Sequence, residues 1–353
     1  MKKHILPLCL CLLFLFAGCS GDAGQGNVSE ERTEDSVSFF AMDTHMTITA
    51  YGPNVQATLA QAQEKIAALE RLWTVTEAGG DLYAVNHAGG QAVEVSGETA
   101  ELLAFALRIA EQTNGALDPT IYPISSAWGF TKEEYCIPTE DELEGLLSLV
   151  GYRNVVQNGS TVQLPAGAML DFGAVAKGYS GDLLIELLRN NGVTSALLDL
   201  GGNVQTIGSK PDGSDWRIGL QDPTGGSGGD LAGILQVSDL AVVTSGAYER
   251  YFIGEDGKRY GHIVDPFTGR PVENGLLSVT VLAKEGKLCD ALSTSLFVMG
   301  AERAIEFWKQ NRTFDMILMT DGGDIYLTDG VSDRFTAVGK YSNAEIHVIG
   351  PQP

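Results

Sequence analysis

The chain has 353 residues, 44% of them apolar, with 43 glycines and 12 prolines, enough for one large domain or two lobes around a real core and unlike long disorder. Its formal net charge is −22, and the first 18 residues carry Lys2 and Lys3 but no acid, so a processed chain is more acidic still. That sign excludes a phosphate-backbone partner, so no nucleic acid is expected, and it argues against adhesion to anionic lipid through protein charge.

Lys2 and Lys3 precede an apolar run, Ile5 to Phe16, followed by AGCS with Cys19. Charged, apolar and small residues in that order make a secretory signal, and the apolar part is short for a transmembrane span. A cysteine directly after small residues resembles the bacterial lipoprotein box, with an ordinary cleaved signal as the competing reading. The expected division is a lipoprotein signal peptide over 1–18, a flexible tether over 19–36 and a folded domain over 37–348. A diacylglyceryl anchor on Cys19 would hold that domain at the extracytoplasmic face of a bacterial cell membrane. Cys9 and Cys11 leave with the signal. Cys136 and Cys289 are expected as buried free thiols, since one distant pair is no disulfide framework and no CxxC spacing offers a zinc site.

Residues 20–36 are polar, glycine-rich and acidic, the composition of a tether. From Val37 to Tyr51, the positions of Phe39, Met42, Met46 and Ile48 predict a strand or hairpin. Val55, Leu59, Ala62, Ile66, Leu69 and Leu72 then step by three and four, which is a helix. A second helix follows Ser96 as N-cap and stops at Asn114–Gly115. Thr139 with Glu142 is a capping box opening a short helix, and Asn158–Gly159 joins two short strands. The stretch 171–181 leads into a helix over Ala174–Asn190, and Ser195–Leu200 reads as a buried strand. Strands are expected at 216–220, 234–237, 241–244, 248–253 and 277–283. A helix holds Asp290, another spans Ala301–Gln310, and a last hairpin turns across Asp321–Gly323. No regular βαβ rhythm runs through this order. The fold class is therefore α+β, mixed sheets with packed helices.

Three stretches concentrate polar chemistry. RYGHIVDPFTGRP, from Arg259 to Pro271, sets His262 and Asp265 among turn residues. Near neutral pH an imidazole there can take a proton from an attacking hydroxyl, although a lone histidine is also a common structural residue. Asp265 either orients it or shapes the proline turn, the second being favoured. In CDALST, Asp290 and Thr294 stand one helical turn apart on one face. A carboxylate in so apolar a helix needs a partner, and a hard cation such as Mg²⁺ suits a carboxylate and a hydroxyl. Asp171 opens a glycine-rich approach to a helix, where backbone N–H groups can receive phosphate, unless it only forms an Asx-turn. Lys177 either faces an anion or is solvated. Neither GxGxxG nor GxxxxGK[ST] occurs.

Taken together, AMDT at 41–44, ALDPT at 116–120, LDFGAVAKGYSGD at 170–182, LDLGGN at 198–203, TSGAYERYF at 244–252, HIVDPFTGRP at 262–271 and DALST at 290–294 resemble the blocks of the ApbE family, in the family's order. The resemblance implies an ApbE-like fold with two lobes enclosing an FAD site. It also implies a Mg²⁺-dependent FAD:protein FMN transferase, which moves FMN from FAD onto a Ser or Thr hydroxyl of an exported acceptor flavoprotein and releases AMP. By position, it implies that Met42, Ala116, Leu117, Asp118, Asp171, Lys177 and Val264 contact FAD. It implies that Ala174 (through its carbonyl), Asp290, Ser293 and Thr294 bind the metal, and that His262 acts in transfer. One departure stands out: Thr76 falls where many members carry a Tyr, so stacking of the flavin on Trp73 is the substitute expectation. Two other activities remain open from the sequence, an FAD pyrophosphatase giving FMN and AMP, and a non-catalytic flavin-binding lipoprotein.

Overall fold

The computed structural model describes residues 33–131, 134–225 and 229–350; the signal, Cys19 and most of the tether lie outside them. β1 (Thr33–Ala41) and β2 (Thr44–Gly52) form a hairpin. Met42 and Asp43, its two turn residues, have φ of 49° and 59°. A two-residue hairpin turn of this kind needs left-handed backbone at both positions, which costs a non-glycine residue about 1–2 kcal/mol. β1 starts inside the segment read as tether. The backbone ladder to β2 runs the length of β1, and Ser36 and Ser38 add hydroxyl pairs with Thr49 and Thr47 at 3.0 and 2.9 Å, a polar-faced strand that apolar periodicity does not reveal.

α1 (Val55–Trp73) buries Val55, Leu59, Ala62, Ile66 and Leu69 along one stripe, the period-3.6 pattern of an amphipathic helix. α2 (Asp81–Asn86), β3 (Val93–Glu94), α3 (Gly97–Gln112) and α4 (Tyr122–Ala127) follow. Ser96 caps α3 by accepting from the backbone N–H of Thr99. Both bonds of the Thr139–Glu142 capping box open α5 (Glu140–Leu147). β4 (Val156–Asn158) and β5 (Thr161–Gln163) make the short Asn158–Gly159 hairpin. α6 (Ala176–Asn190) leads to β6 (Ser195–Asp199), β7 (Asn203–Ile207), β8 (Trp216–Gln221), β9 (Leu231–Val237) and β10 (Ala241–Gly246). β11 (Tyr251–Ile253) and β12 (Arg259–Gly261) form a separate ribbon. β13 (Leu276–Ala283), α7 (Gly286–Met299), α8 (Ala301–Gln310), β14 (Asp315–Thr320), β15 (Ile325–Thr328), β16 (Phe335–Ala337) and β17 (Ile346–Ile349) complete the order.

The main sheet has nine strands in the order β1-β2-β6-β7-β10-β13-β14-β15-β17, antiparallel except for the β15–β17 pair. Alternation splits its side chains between two layers. Val243, Val279, Val281, Met316 and Leu318 face the helical core with α3, α7 and α8, while Val242, Leu282, Ile317 and Met319 face the small sheet β16-β9-β8. Beside the first core, α1 and α6 cover β2 and β6 through Ile48, Leu59, Ile66, Leu184 and Leu198. The described residues form one unit, so the two lobes expected from the resemblance are two layers on a shared sheet. Cys289 is buried as expected, whereas Cys136, on the loop before α5, is exposed.

Candidate active site

The site is built where α6 crosses α7. A Cβ on Gly178 would overlap Gly286 O and stand 2.7 Å from Asp290 Cβ, and one on Gly181 or Gly286 would overlap Gln205 Nε2. Bare backbone at these three positions lets the helices touch. Gly178 N–H then donates to Asp290 Oδ2 at 2.8 Å, and Gln205 Nε2 donates to Gly178 O at 3.0 Å. Asp182, on α6, accepts from the N–H groups of Gly286 and Lys287 at 2.5 and 3.1 Å, so it caps α7 from the neighbouring helix. Burial pushes its carboxyl up to about 6.

Asp290 is 5% exposed. Burial raises its pKa, and Lys177, the Gly178 N–H and the Asn203 amide oppose the rise. Asn203 Nδ2 is buried without a hydrogen bond of good geometry, so it supports the carboxylate by proximity. One turn on, Ser293 is fully buried, donates to Asp290 O at 3.0 Å and meets Ser245 Oγ at 2.8 Å. Ser245 also reaches Thr294 Oγ1 at 3.2 Å. Thr294 lines a cleft, together with Ala116, Leu117, Asp118, Asp171, Ala174 and Val264. Seven residues expected at the site from four separate blocks thus share one concavity. Beside it, the Asp290 carboxylate and the hydroxyls of Ser293, Ser245 and Thr294 offer oxygen ligands, which suit a hard divalent cation.

The loop after α3 enters the cleft in a fixed shape. Asp118 accepts from Thr120 N, Thr120 Oγ1 and Tyr152 N at 2.9, 2.6 and 2.9 Å. With its carboxylate used inside the protein, the loop offers the cleft chiefly its backbone and the Ala116 and Leu117 side chains. Burial raises the Asp118 pKa against those three bonds. Asp171 forms the Asx-turn, its Oδ1 accepting from Gly173 N at 2.5 Å. Burial raises its pKa too, with Arg250 and Lys177 pulling it back. Met42 is held over α6 by its N–H, which donates to Glu70 Oε1 at 2.6 Å, and by its sulfur, 3.9 Å from Ser180 Oγ.

His262 follows β12. Its N–H and its ring Nδ1 both bond Arg250 O, at 3.0 and 3.1 Å. A carbonyl oxygen only accepts, so Nδ1 carries the proton and Nε2 keeps its lone pair. Burial, with Arg250 and Lys177 nearby, pushes the imidazole down to about 4, so it is neutral at pH 7. Asp265 shapes the turn, as favoured from the sequence: its Oδ1 accepts from Phe267 N at 2.8 Å and its carbonyl from Gly269 N at 2.8 Å. Glu249, on the turn between β10 and β11, is open to solvent. Surrounding protein, and Asp290 behind the opposing pull of Lys177, raise its pKa to about 7, an effect that solvent access weakens.

The ApbE family profile matches residues 42–318. The chain belongs to the ApbE family. Relatives named FAD:protein FMN transferase come from Treponema pallidum, 32% identical over 92% of this chain and 93% of theirs, and from Klebsiella pneumoniae, 34% identical over 80% and 88%. In three dimensions the chain resembles the ApbE protein of Thermotoga maritima, with TM-score 0.79 and 31% identity over 84% of this chain and 98% of that one. It also resembles the flavin transferase ApbE of Vibrio cholerae, with TM-score 0.76 and 27% identity over 86% and 100%.

The ApbE blocks have visible structural reasons. LDLGGN meets AMDT because Gly201, at φ 72°, packs where a Cβ would overlap Thr44. KGYSGD supplies Gly178, Gly181 and Asp182 to the helix crossing. The stacking expected of Trp73 fails: it is buried, donates from Nε1 to Thr99 Oγ1 at 3.1 Å and packs on Phe172 and Tyr179. Thr76 is exposed, its hydroxyl 3.3 Å from Thr74 Oγ1. Sequence reasoning missed Ser245, Glu249, Arg250, Asp182 and Glu70. The TSGAYER block contains the first three, and its polar run between two strands was the available signal. Glu70 and Asp182 look like ordinary helix acids until the fold brings them to Met42 and α7.

Proposed function

We propose that this protein is an FAD:protein FMN transferase that uses Mg²⁺ and releases AMP. The observation that carries the reading is the neutral His262, its Nδ1 tied to Arg250 O and its Nε2 free, in one electrostatic cluster with Lys177, Asp171 and the Asp290 carboxylate. Met42, Ala116, Leu117, Asp118, Asp171 and Val264 are the FAD contacts in this reading, with Lys177 facing the pyrophosphate. Asp290, Thr294 and the Ala174 carbonyl would hold Mg²⁺, with the buried Ser293 steadying them, and the ion supplies charge neutralisation at the pyrophosphate when bound.

An acceptor Ser or Thr oxygen attacks the phosphorus on the FMN side of FAD. That oxygen–phosphorus bond forms as the bond to the bridging oxygen breaks, and AMP leaves with the electron pair. His262 Nε2 takes the hydroxyl proton. Lys177 holds negative charge without a salt bridge of its own among the described residues, as phosphoryl transfer asks of a positioned cation. The signal and the cysteine after it support a lipid-anchored, extracytoplasmic enzyme, acting on exported acceptors. The test is intact acceptor mass followed together with AMP release in FAD and Mg²⁺. A gain of one FMN moiety establishes transfer, AMP with an unmodified acceptor makes the protein a pyrophosphatase, and tight FAD binding with neither product makes it a carrier.

A further inference from the structure

The ribbon β11–β12 has one covered face and one open face. Side chains alternate across it. Phe252 and its cross-strand partner Tyr260 stack at 5.2 Å, and Phe252 meets Trp128, Phe130 and Tyr135. Tyr251 and Ile253 take the alternate positions and are 44% and 60% exposed. Arg259, opposite Ile253, lays its guanidinium 3.7 Å over the Tyr251 ring. The neighbouring cations Lys258 and Arg270 are paired with Glu273 and Glu140, whereas Arg259 has no carboxylate partner among the described residues.

The ribbon runs into the candidate active site: Arg259 Nη2 donates to Ala247 O at 3.1 Å, two residues from Ser245, which touches Ser293 and Thr294. Beyond the pair Tyr251–Gly261, the next bonded pair is Arg250 and His262. Three residue steps take Arg250 to Ile253, about 10 Å of extended strand. A stable protein–protein contact covers about 800 Å² on each partner, equal to a disc of about 16 Å radius. An acceptor protein that brings a hydroxyl to His262 therefore has this ribbon within its footprint. Tyrosine and arginine beside an exposed aliphatic are the residue types that anchor such contacts.

Building on the transferase reading, we propose that the open face formed by Tyr251, Ile253 and Arg259 is the docking surface for the acceptor protein, which meets it with an apolar side chain beside a carboxylate. In a chain of net charge −22, a guanidinium at the rim with no carboxylate partner among the described residues is where an acidic group on the partner is attracted rather than repelled. The three side chains stay outside the chemistry, so they act on acceptor affinity alone.

The experiment uses an exported flavoprotein domain that the wild-type protein flavinylates by intact mass, and a 15-residue peptide around the modified Ser or Thr of the same domain. The double variant Tyr251→Ser, Ile253→Asp, and separately Arg259→Glu, are assayed on both acceptors. The expected result is an acceptor KM raised about tenfold or more for the domain, with kcat, peptide transfer and FAD affinity held within about twofold. An unchanged KM for the domain, or an equal loss on domain and peptide, overturns the proposal. So does a wild-type dimer that the double variant splits while the domain KM stays constant, because the occupant is then a second copy of this chain. A wild-type protein that modifies neither acceptor defeats the transferase reading instead, which is a separate outcome.

Discussion

His262 and Arg250 are joined twice through one atom: the backbone N–H and the ring Nδ1 of His262 both bond the carbonyl oxygen of Arg250, at 3.0 and 3.1 Å. The two hydrogen bonds fix ring orientation and tautomer together, which leaves Nε2 as the basic atom of the imidazole.

His262→Ala is expected to lower transfer by about 10²–10⁴-fold, the usual contribution of a positioned base, with FAD still bound. With the imidazole pushed down to about 4, the basic form persists well below pH 6.5. The acid limb of kcat/KM should then fall near pH 4 to 5, not near 6.5. Stability follows the same sign: the unfolded histidine binds its proton first, so this contribution is present above about 6.5 and is lost as pH falls through about 4. A pH–rate profile with an acid limb at 6.5 would sink the assignment.

Asp290 is a buried carboxylate whose partners are one N–H, a nearby ammonium and an amide. Charge buried so deeply costs stability unless a cation joins it. Asp290→Asn without Mg²⁺ should melt at or above the wild-type temperature. Mg²⁺ at about 100 times its Kd should add about 2.7 kcal/mol to the wild type and nothing to the variant, read by thermal melts across a Mg²⁺ titration. Equal stabilisation of both would place the ion elsewhere.

Gly178→Ala puts a methyl against Gly286 O and Asp290 Cβ. Both obstacles belong to helix α7, so the helices must separate. We expect a loss of about 1–3 kcal/mol in urea unfolding, as for overpacking generally, accompanied by weaker Mg²⁺ binding. Gly145→Ala on exposed α5, where no atom lies within 4 Å of the added Cβ, is the control and should be neutral or slightly stabilising.

The two cysteines of the described fold should separate in a thiol titration. Cys136 is exposed and Cys289 is buried, with burial raising its pKa well above the ordinary value. A thiolate is the reactive form. Native protein should therefore label at Cys136 rapidly, and at Cys289 only after unfolding, which peptide mapping after alkylation resolves.

Much of the fold is legible locally. The α1 stripe, the Ser96 cap, the Thr139–Glu142 box and the Asn158–Gly159 turn are short-range signals, and each stands where the spacing puts it. The first residues of β1 were hidden because they pair with β2 through the backbone while carrying polar side chains, so no apolar alternation marks them. The exposure of Cys136 and the burial of Trp73 were hidden for a related reason: burial depends on what other segments cover, and Trp73 is covered by Phe172 and Tyr179 from a hundred residues away.

For the site, the sequence by itself determined the residue types and their grouping on local elements: Asp290, Ser293 and Thr294 within one helical turn, His262 beside a proline turn, glycines in the first turns of α6. Those follow from periodicity and backbone preference, which act over a few residues. Only the tertiary structure decided which partners each would have. It set Gly178 N–H on Asp290, Arg250 O on His262, Asp182 on the start of α7 and Ser245 between Ser293 and Thr294. Those contacts join segments 12 to 112 residues apart, and the charge and tautomer of each group are set by such neighbours rather than by the residue's own place in the chain.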